Sequence, residues 1–239
     1  MLLNKEWDTV NIEKNIFSAK FISRPNRFVA YVYKDEEEIK VHVPNTGRCK
    51  EILIPGASII LREENSPLRK TKFDLIGVYK GKRFINIDSQ IPNNVVEEAL
   101  KLKRIHALSR FNIVEREKTF GNSRFDFLLK NGDEEYYLEV KGVTLEKSGT
   151  AMFPDAPTIR GTKHLLELVE VVKSGRGAGV LFLIQMDGID CFTPNDEMDK
   201  AFGEALRFAE ASGVDVFAYD CAVDETFITL KSEIKFWRC

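Results

Sequence analysis

Residues 124–142 read R-F-D-F-L-L-K-N-G-D-E-E-Y-Y-L-E-V-K-G, two runs that alternate with period two around an Asn-Gly-Asp turn. Few arrangements other than a β-hairpin satisfy that pattern. Phe125, Phe127 and Leu129 share one parity of the first run, and Tyr136, Leu138 and Val140 share one parity of the second. Side chains alternate across a strand, so pairing the apolar parities collects Asp126, Glu139 and Lys141 on the opposite face. Any register that does so sets Asp126 opposite Glu139 or one diagonal step away, roughly 5 to 8 Å between Cβ atoms. Two carboxylates at that separation can share a hard divalent cation such as Mg²⁺ or Mn²⁺, which takes oxygen ligands and keeps several waters. Lys141 then stands where an ammonium can orient an attacking water or offset charge on a phosphate. The competing reading is a half-solvated hairpin face that carries three charges and no chemistry.

Length and composition narrow the class. With 239 residues, 44% of them hydrophobic and 30% charged, the chain can bury one large or two modest cores, and two are expected. No window approaches 18 uninterrupted apolar residues, and Met1-Leu2-Leu3-Asn4-Lys5-Glu6 is not a secretion signal, so the expectation is a cytoplasmic protein with no membrane partner. Cys49, Cys191, Cys221 and Cys239 show no C-x-x-C spacing, which sets structural zinc aside and makes reduced thiols the expectation. Charge divides along the chain: residues 1–86 hold 16 Lys/Arg against 11 Asp/Glu, whereas residues 87–239 hold 19 against 26. A basic half suits phosphates and an acidic half suits metal ions.

From Ile16 to Ile87 the signals are short strands, at 16–22, 28–33, 39–43, 57–61, 73–79 and 83–87, broken by turns such as Pro25-Asn26 and Pro55-Gly56. They predict a small Greek-key barrel over residues 1–86, with the OB-fold the first candidate and oligonucleotides its usual ligand. Two basic loops carry an aromatic beside their cations: Arg24, Arg27 and Phe28 in one, Arg69, Lys70, Lys72 and Phe73 in the other. Cation plus ring suits single-stranded nucleic acid, although Phe28 and Phe73 equally read as core residues that open strands. Asn93 can cap a helix whose apolar face runs through Val95, Val96, Ala99, Leu100, Leu102 and Ile105. Glu98 lies at the margin of that face and Glu97 points to solvent, so Glu98 is either an ion-pair partner or a third oxygen ligand. His106 falls in the last turns of that helix.

Two prolines in Met152-Phe153-Pro154-Asp155-Ala156-Pro157 predict a loop, after which Thr158 or Thr162 caps a helix through Leu165, Leu166, Leu168, Val169 and Val172. Arg160, Lys163 and His164 sit on its first turns, where cations oppose the helix dipole unless an anion such as a phosphate is near. Val180–Met186 and Val214–Tyr219 read as buried strands around a helix at 196–212, with 228–236 a further strand. Residues 87–239 are therefore expected to form an α/β domain with a mixed central sheet.

The order of carboxylates, Glu on a helix, Asp on a strand, then Glu-x-Lys on the next, resembles the PD-(D/E)xK nuclease superfamily, with Phe125 in place of the proline. The segments H-V-P-N-T-G (42–47), R-F-D-F-L-L (124–129), L-E-V-K-G-V-T-L (138–145) and F-P-D-A-P-T-I-R-G-T-K-H-L-L-E-L (153–168) go further. Their order and spacing resemble the sugar fermentation stimulation protein A (SfsA) family nearly end to end. That resemblance implies an OB-like domain followed by a nuclease-like domain, DNA or RNA as partner, and a nuclease with Mg²⁺ or Mn²⁺ as cofactor. It places Glu98, Asp126 and Glu139 on the metal positions, Asp126, Glu139 and Lys141 on the catalytic ones, and Arg160, Lys163 and His164 on the family's signature helix. Two other readings stay open: a DNA-binding regulator of sugar fermentation genes, of the maltose type, that does not cut, and an RNA-binding module led by the barrel. The assembly is either a monomer or a homodimer.

Overall fold

The computed structural model describes residues 10–11, 15–66 and 68–236. Cys239 and the opening hexapeptide weighed as a secretion signal lie outside the described residues. After a short β1 (Val10–Asn11) come β2 (Ile16–Asn26), β3 (Val29–Lys34), β4 (Glu37–His42), β5 (Ser58–Glu63), β6 (Phe73–Lys80) and β7 (Arg83–Asn86). The sheet runs β4-β3-β2-β5-β6-β7, and a pairing of His42 with Asp74 joins β4 to β6, closing five strands into an OB-type barrel. Ala30 and Val32 of β3 and Ile59 and Leu61 of β5 fill its interior by alternation. On β6 every residue from Phe73 to Val78 is buried, because its outer face meets the second lobe.

That lobe opens with α1 (Ile91–Lys101), which begins earlier than expected: Pro92 occupies the first turn, where a missing N–H costs nothing, and Gln90 stands at the N-cap. The helix also stops early. Lys103 takes φ 57° and the Arg104 N–H returns to the Ala99 carbonyl, a left-handed termination that leaves His106 in a separate 3₁₀ turn, His106–Leu108. There follow β8 (Ile113–Phe120), β9 (Ser123–Asn131), β10 (Glu134–Val143), β11 (Leu145–Lys147), β12 (Thr150–Phe153), α2 (Ile159–Lys173), β13 (Gly177–Ile184), β14 (Cys191–Pro194), α3 (Lys200–Ala211), β15 (Asp215–Val223), β16 (Phe227–Glu233) and β17 (Lys235–Phe236). The main sheet is mixed, in the order β1-β16-β15-β13-β10-β9-β8, with β10, β13 and β15 parallel. A second sheet, β11-β12-β14-β17, takes Thr150–Phe153 as a strand where a loop was expected; Pro154 sits just past its end, so the proline never enters the ladder.

Helix α1 covers one face of the main sheet over Phe127, Leu129, Leu138 and Val140. Helix α2 covers the other, capped by Thr158, whose hydroxyl accepts from Gly161 N at 3.0 Å. The α2-side core is continuous with the barrel interior, one cluster running from Phe21 and Leu61 through Ile85 to Val143, Leu168 and Phe182. The lobes are also stapled by Glu146, whose carboxylate meets Lys80 at 2.6 Å and Arg83 at 3.1 Å. Cys49 and Cys221 are free and buried, whereas Cys191 is disulfide-bonded, which corrects the expectation of four reduced thiols. No helix among the described residues is long and apolar enough to cross a membrane.

Candidate functional site

The β9–β10 ladder pairs Leu129 with Tyr136 and Phe127 with Leu138, then stops. Phe127 packs with α1 but Phe125 packs on the α2 side, so the alternation expected between them breaks at Asp126. Across the neighbouring ladder, Glu117 between the Arg116–Phe127 and Lys118–Phe125 pairs takes φ 54°, the same distortion seen from β8. The break frees the Val140 N–H from β9, and the Asp126 carboxylate takes its place: Oδ2 accepts from Val140 N at 2.8 Å. Oδ1 accepts from Asn93 Nδ2 at 2.9 Å, so Asn93 is not the helix cap; it reaches from the first turn of α1 to orient Asp126. Each oxygen keeps a lone pair after those bonds.

Glu139 is buried, 4% exposed. Its Oε1 accepts from Lys141 Nζ at 2.5 Å and from His164 Nδ1 at 2.5 Å, while Oε2 is buried with no hydrogen-bond partner among the described residues. His164 Nε2 accepts from Arg160 Nε at 3.4 Å, which leaves Nδ1 as the nitrogen that donates to Glu139. Burial and then the charge of Glu139 push the Asp126 carboxyl above its ordinary range, outweighing the Val140 and Asn93 hydrogen bonds. Burial also pushes Glu139 up, but the His164 hydrogen bond and the Lys141 charge overcome it and hold that carboxyl below its ordinary range. The environments of the two acids therefore drive them apart, as in paired carboxylates with different duties.

Several expected members stand elsewhere. Glu98 lines a surface groove with Val10, Asn94, Glu97, Lys101 and Leu102, and among the described residues no group of three His, Cys, Asp or Glu is placed to hold a metal ion, so Glu98 does not join Asp126 and Glu139 in one. His164, 5% exposed, is turned into the lobe toward Glu139 and Phe125 and is closed to a phosphate. Arg160 and Lys163 remain exposed on the first turns of α2; Lys163 also meets Glu167 at 3.6 Å. On the barrel, Arg24 spends its guanidinium on the carbonyls of Arg27, Asn45, Gly47 and Arg48, so it ties two loops together and is not a phosphate ligand. Arg27 is exposed beside it, and Phe28 is 56% exposed, which removes the core reading for that ring; Phe73 is buried. Arg69 pairs with Asp74, whose carboxylate also meets His42 at 2.8 Å and Arg62 at 3.3 Å. Lys72 pairs with Glu63 at 2.9 Å, and Lys70 is exposed. Asn93 was missed as a site element because a helix start read from periodicity falls a few residues late, which made it a cap and not a first-turn residue.

Comparison with known proteins matches two family models. One, described as the sugar fermentation stimulation protein RE domain, covers residues 90–227; the other, described as the SfsA N-terminal OB domain, covers residues 22–87. The sugar fermentation stimulation protein homolog of Clostridium tetani is 69% identical over 225 residues, 94% of this chain and 98% of that protein. The homolog of Clostridium acetobutylicum is 66% identical over 218 residues, covering 91% and 95%. Among solved structures, Pyrococcus furiosus SfsA in complex with Ca²⁺ matches with a TM-score of 0.87 at 27% identity, over 95% of this chain and 98% of that one.

Proposed function

The chain belongs to the sugar fermentation stimulation protein family, and from that footing we propose that it is a divalent-metal-dependent nuclease of DNA or RNA, with residues 1–86 binding nucleic acid and residues 87–239 carrying the chemistry. One observation carries the reading: Glu139 Oε2 is buried without a hydrogen-bond partner among the described residues, beside a second carboxylate that keeps spare lone pairs. A buried, unsatisfied carboxylate oxygen is costly unless something cationic meets it. The donor set fits a hard cation such as Mg²⁺ or Mn²⁺, held by Asp126 and Glu139. The Ca²⁺ bound by the Pyrococcus protein is likewise an ion that takes oxygen ligands. When bound, the cation supplies Lewis-acid stabilisation of charge on the scissile phosphate.

The remaining work falls to side chains of this chain. Val140 N and Asn93 hold the Asp126 carboxylate in one orientation, and His164 does the same for Glu139. Lys141, 15% exposed and hydrogen-bonded to Glu139, orients the attacking water and offsets charge on the phosphoryl oxygens. Arg160, exposed on the first turn of α2 and linked to the site through His164, neutralises the phosphate from the other side. A second reading, a regulator that binds DNA without cutting, draws on the convergence of two acidic side chains where three were expected.

The experiment is cleavage of labelled single- and double-stranded DNA and RNA by the pure protein in Mg²⁺, Mn²⁺ or EDTA. Metal-dependent products that disappear in Asp126→Asn support the nuclease; retarded nucleic acid with no product under any metal gives the site to the regulator.

A further inference from the structure

Between the lobes lies a crevice of about 400 Å³ that the carboxylate site does not use. Its floor is Gly142 and Thr144 at the end of β10 and Gln185 just past β13; one wall is Asn45–Arg48 of the barrel, the other the segment 152–158. Crevices outside the carboxyl ends of parallel strands are where α/β sheets receive ligands. The barrel wall is built to hold its shape. Arg24 takes the Asn45, Gly47 and Arg48 carbonyls, Gly47 N donates to Asn45 Oδ1 at 2.6 Å, and Asp155 Oδ2 accepts from Cys49 N at 3.1 Å. A Cβ at position 47 would stand 2.7 Å from Asp155 Oδ2 and 2.9 Å from Asn45 Oδ1, so any larger residue would have to push those oxygens aside.

The charges are sorted. Exposed cations stand at the rim, Arg27 and Arg48 on the barrel side and Arg160 beyond the other wall. Exposed apolar groups flank them: Phe28 is 56% exposed at the tip of the β2–β3 hairpin and Ile159 is 90% exposed where α2 begins. Inside are hydrogen-bonding groups, Thr144, Gln185 and Ser89, and one carboxylate, Asp155. A carboxylate in the interior turns phosphates away but accepts hydrogen bonds from a base amino group. Rim cations, a flanking ring at Phe28 and an interior of hydrogen-bonding groups make the arrangement that receives an unstacked base with its phosphates left outside. A paired, stacked duplex offers no such base unless one is flipped out.

We infer that this crevice binds one unpaired nucleotide of a single strand, base inward against Asp155 and phosphates on Arg27 and Arg48. Where that nucleotide sits relative to the cut rests on the nuclease reading: Gly142 on the floor follows Lys141, so the base lies next to the scissile phosphate.

The test is fluorescence anisotropy with the full chain in EDTA, using labelled octanucleotides of cytosine, adenine or thymine and a blunt duplex of equal length. Single strands should bind more tightly than the duplex, and cytosine and adenine, which carry amino groups, more tightly than thymine. Asp155→Asn keeps an oxygen for Cys49 N but loses the charge. It should reduce the cytosine-over-thymine preference by about fivefold or more, the low end for a base-edge contact. Arg27→Ala with Arg48→Ala should weaken all strands together and flatten the salt slope by about 1.4, the value for two single-strand phosphates. Unchanged base ranking in a folded Asp155→Asn protein, or equal binding of the duplex, overturns the inference. If that variant does not fold, photo-crosslinking wild type to a 4-thiothymidine strand decides: adducts on residues 45–48 or 142–158 support it, and adducts confined elsewhere overturn it. The two readings fail separately. Crevice binding with no cleavage in Mn²⁺ removes the nuclease and keeps the crevice, whereas cleavage of single and double strands alike with a silent Asp155→Asn does the reverse.

Discussion

His164→Ala tests whether the buried imidazole is part of the site or only part of the core. The wild-type ring donates from Nδ1 to Glu139 Oε1 at 2.5 Å and stands edge-on to Phe125 with centroids 5.9 Å apart. Removing a hydrogen bond to an ionised carboxylate costs about 1.5–3 kcal/mol, and Glu139 is too buried to replace it with bulk water. The emptied ring volume adds about 1–2 kcal/mol, at the low end for large-to-small core changes because the ring is polar. The sum, about 2.5–5 kcal/mol, corresponds to a fall in Tm of roughly 10 °C for a chain of this size. His164→Asn separates the contributions, since its amide N–H can restore the donor while most of the lost volume stays lost. It should recover roughly half the stability and much of the activity. Freed from His164, Glu139 is misoriented, so cleavage in the alanine variant should slow by about 10- to 100-fold, the usual cost of losing a partner that orients a metal ligand. Differential scanning fluorimetry and a metal titration of the cleavage rate read both effects. A His164→Ala protein that melts lower yet cuts at the wild-type rate, with the same metal midpoint, would refute the positioning argument and leave the residue to the core.

Other expectations follow from the same geometry. Asp126→Asn and Glu139→Gln should each lose Mn²⁺ binding by calorimetry while Lys141→Ala retains it, since the lysine meets Glu139 and is not itself a ligand; equal loss in all three would reassign Lys141. Burial raises the Glu146 carboxyl, but the Lys80 hydrogen bond, the Gly149 N–H and Arg83 outweigh it and lower its pKa below the ordinary 4.5. Its stabilisation is therefore complete above that ordinary value and is lost as pH falls through the lowered one. Glu146→Gln should melt several degrees below wild type at pH 7, for about 2 kcal/mol, with the gap closing in acid; a gap constant with pH would refute the lobe staple. Arg24→Ala should destabilise by about 1–3 kcal/mol through its orphaned carbonyls, whereas Arg27→Ala should leave Tm unchanged and flatten the salt slope of binding by roughly one phosphate contact; the reverse pattern would restore Arg24 as the phosphate ligand.

Much of the fold was legible because local signals and tertiary context agree. Strand β13 is apolar throughout because it is covered on both faces, and α2 carries the Thr158 cap that its sequence advertises, whereas the helix expected from residue 196 begins only at Lys200, where the Asp199 side chain caps it. Where the two disagree the reading fails. Strand β8 was not foreseen, since Glu115, Arg116, Glu117 and Lys118 crowd its middle; it is the edge of the sheet, where such charges are tolerated and even protective. The early end of α1 depends on Lys103 in a left-handed conformation, which a lysine adopts without any compositional mark.

The site shows the limit more sharply. A helical wheel says which way Glu98 points about the axis of α1 but not which turn of the helix meets β9. Asp126 meets the turn that carries Asn93, about 7.5 Å along the axis from Glu98 at 1.5 Å per residue. For His164 the period contained the answer, because it lies on the face shared with Leu165 and Leu168, yet its neighbours Arg160 and Lys163 suggested a cationic patch. What no periodicity supplies is the count of bonds at one atom. Glu-x-Lys puts an acid beside a lysine in any strand, but only the folded chain brings His164 to the same oxygen and leaves Oε2 without a hydrogen-bond partner among the described residues. That leftover oxygen, with Asp126 held from two sides beside it, is the feature on which the proposed cation site rests.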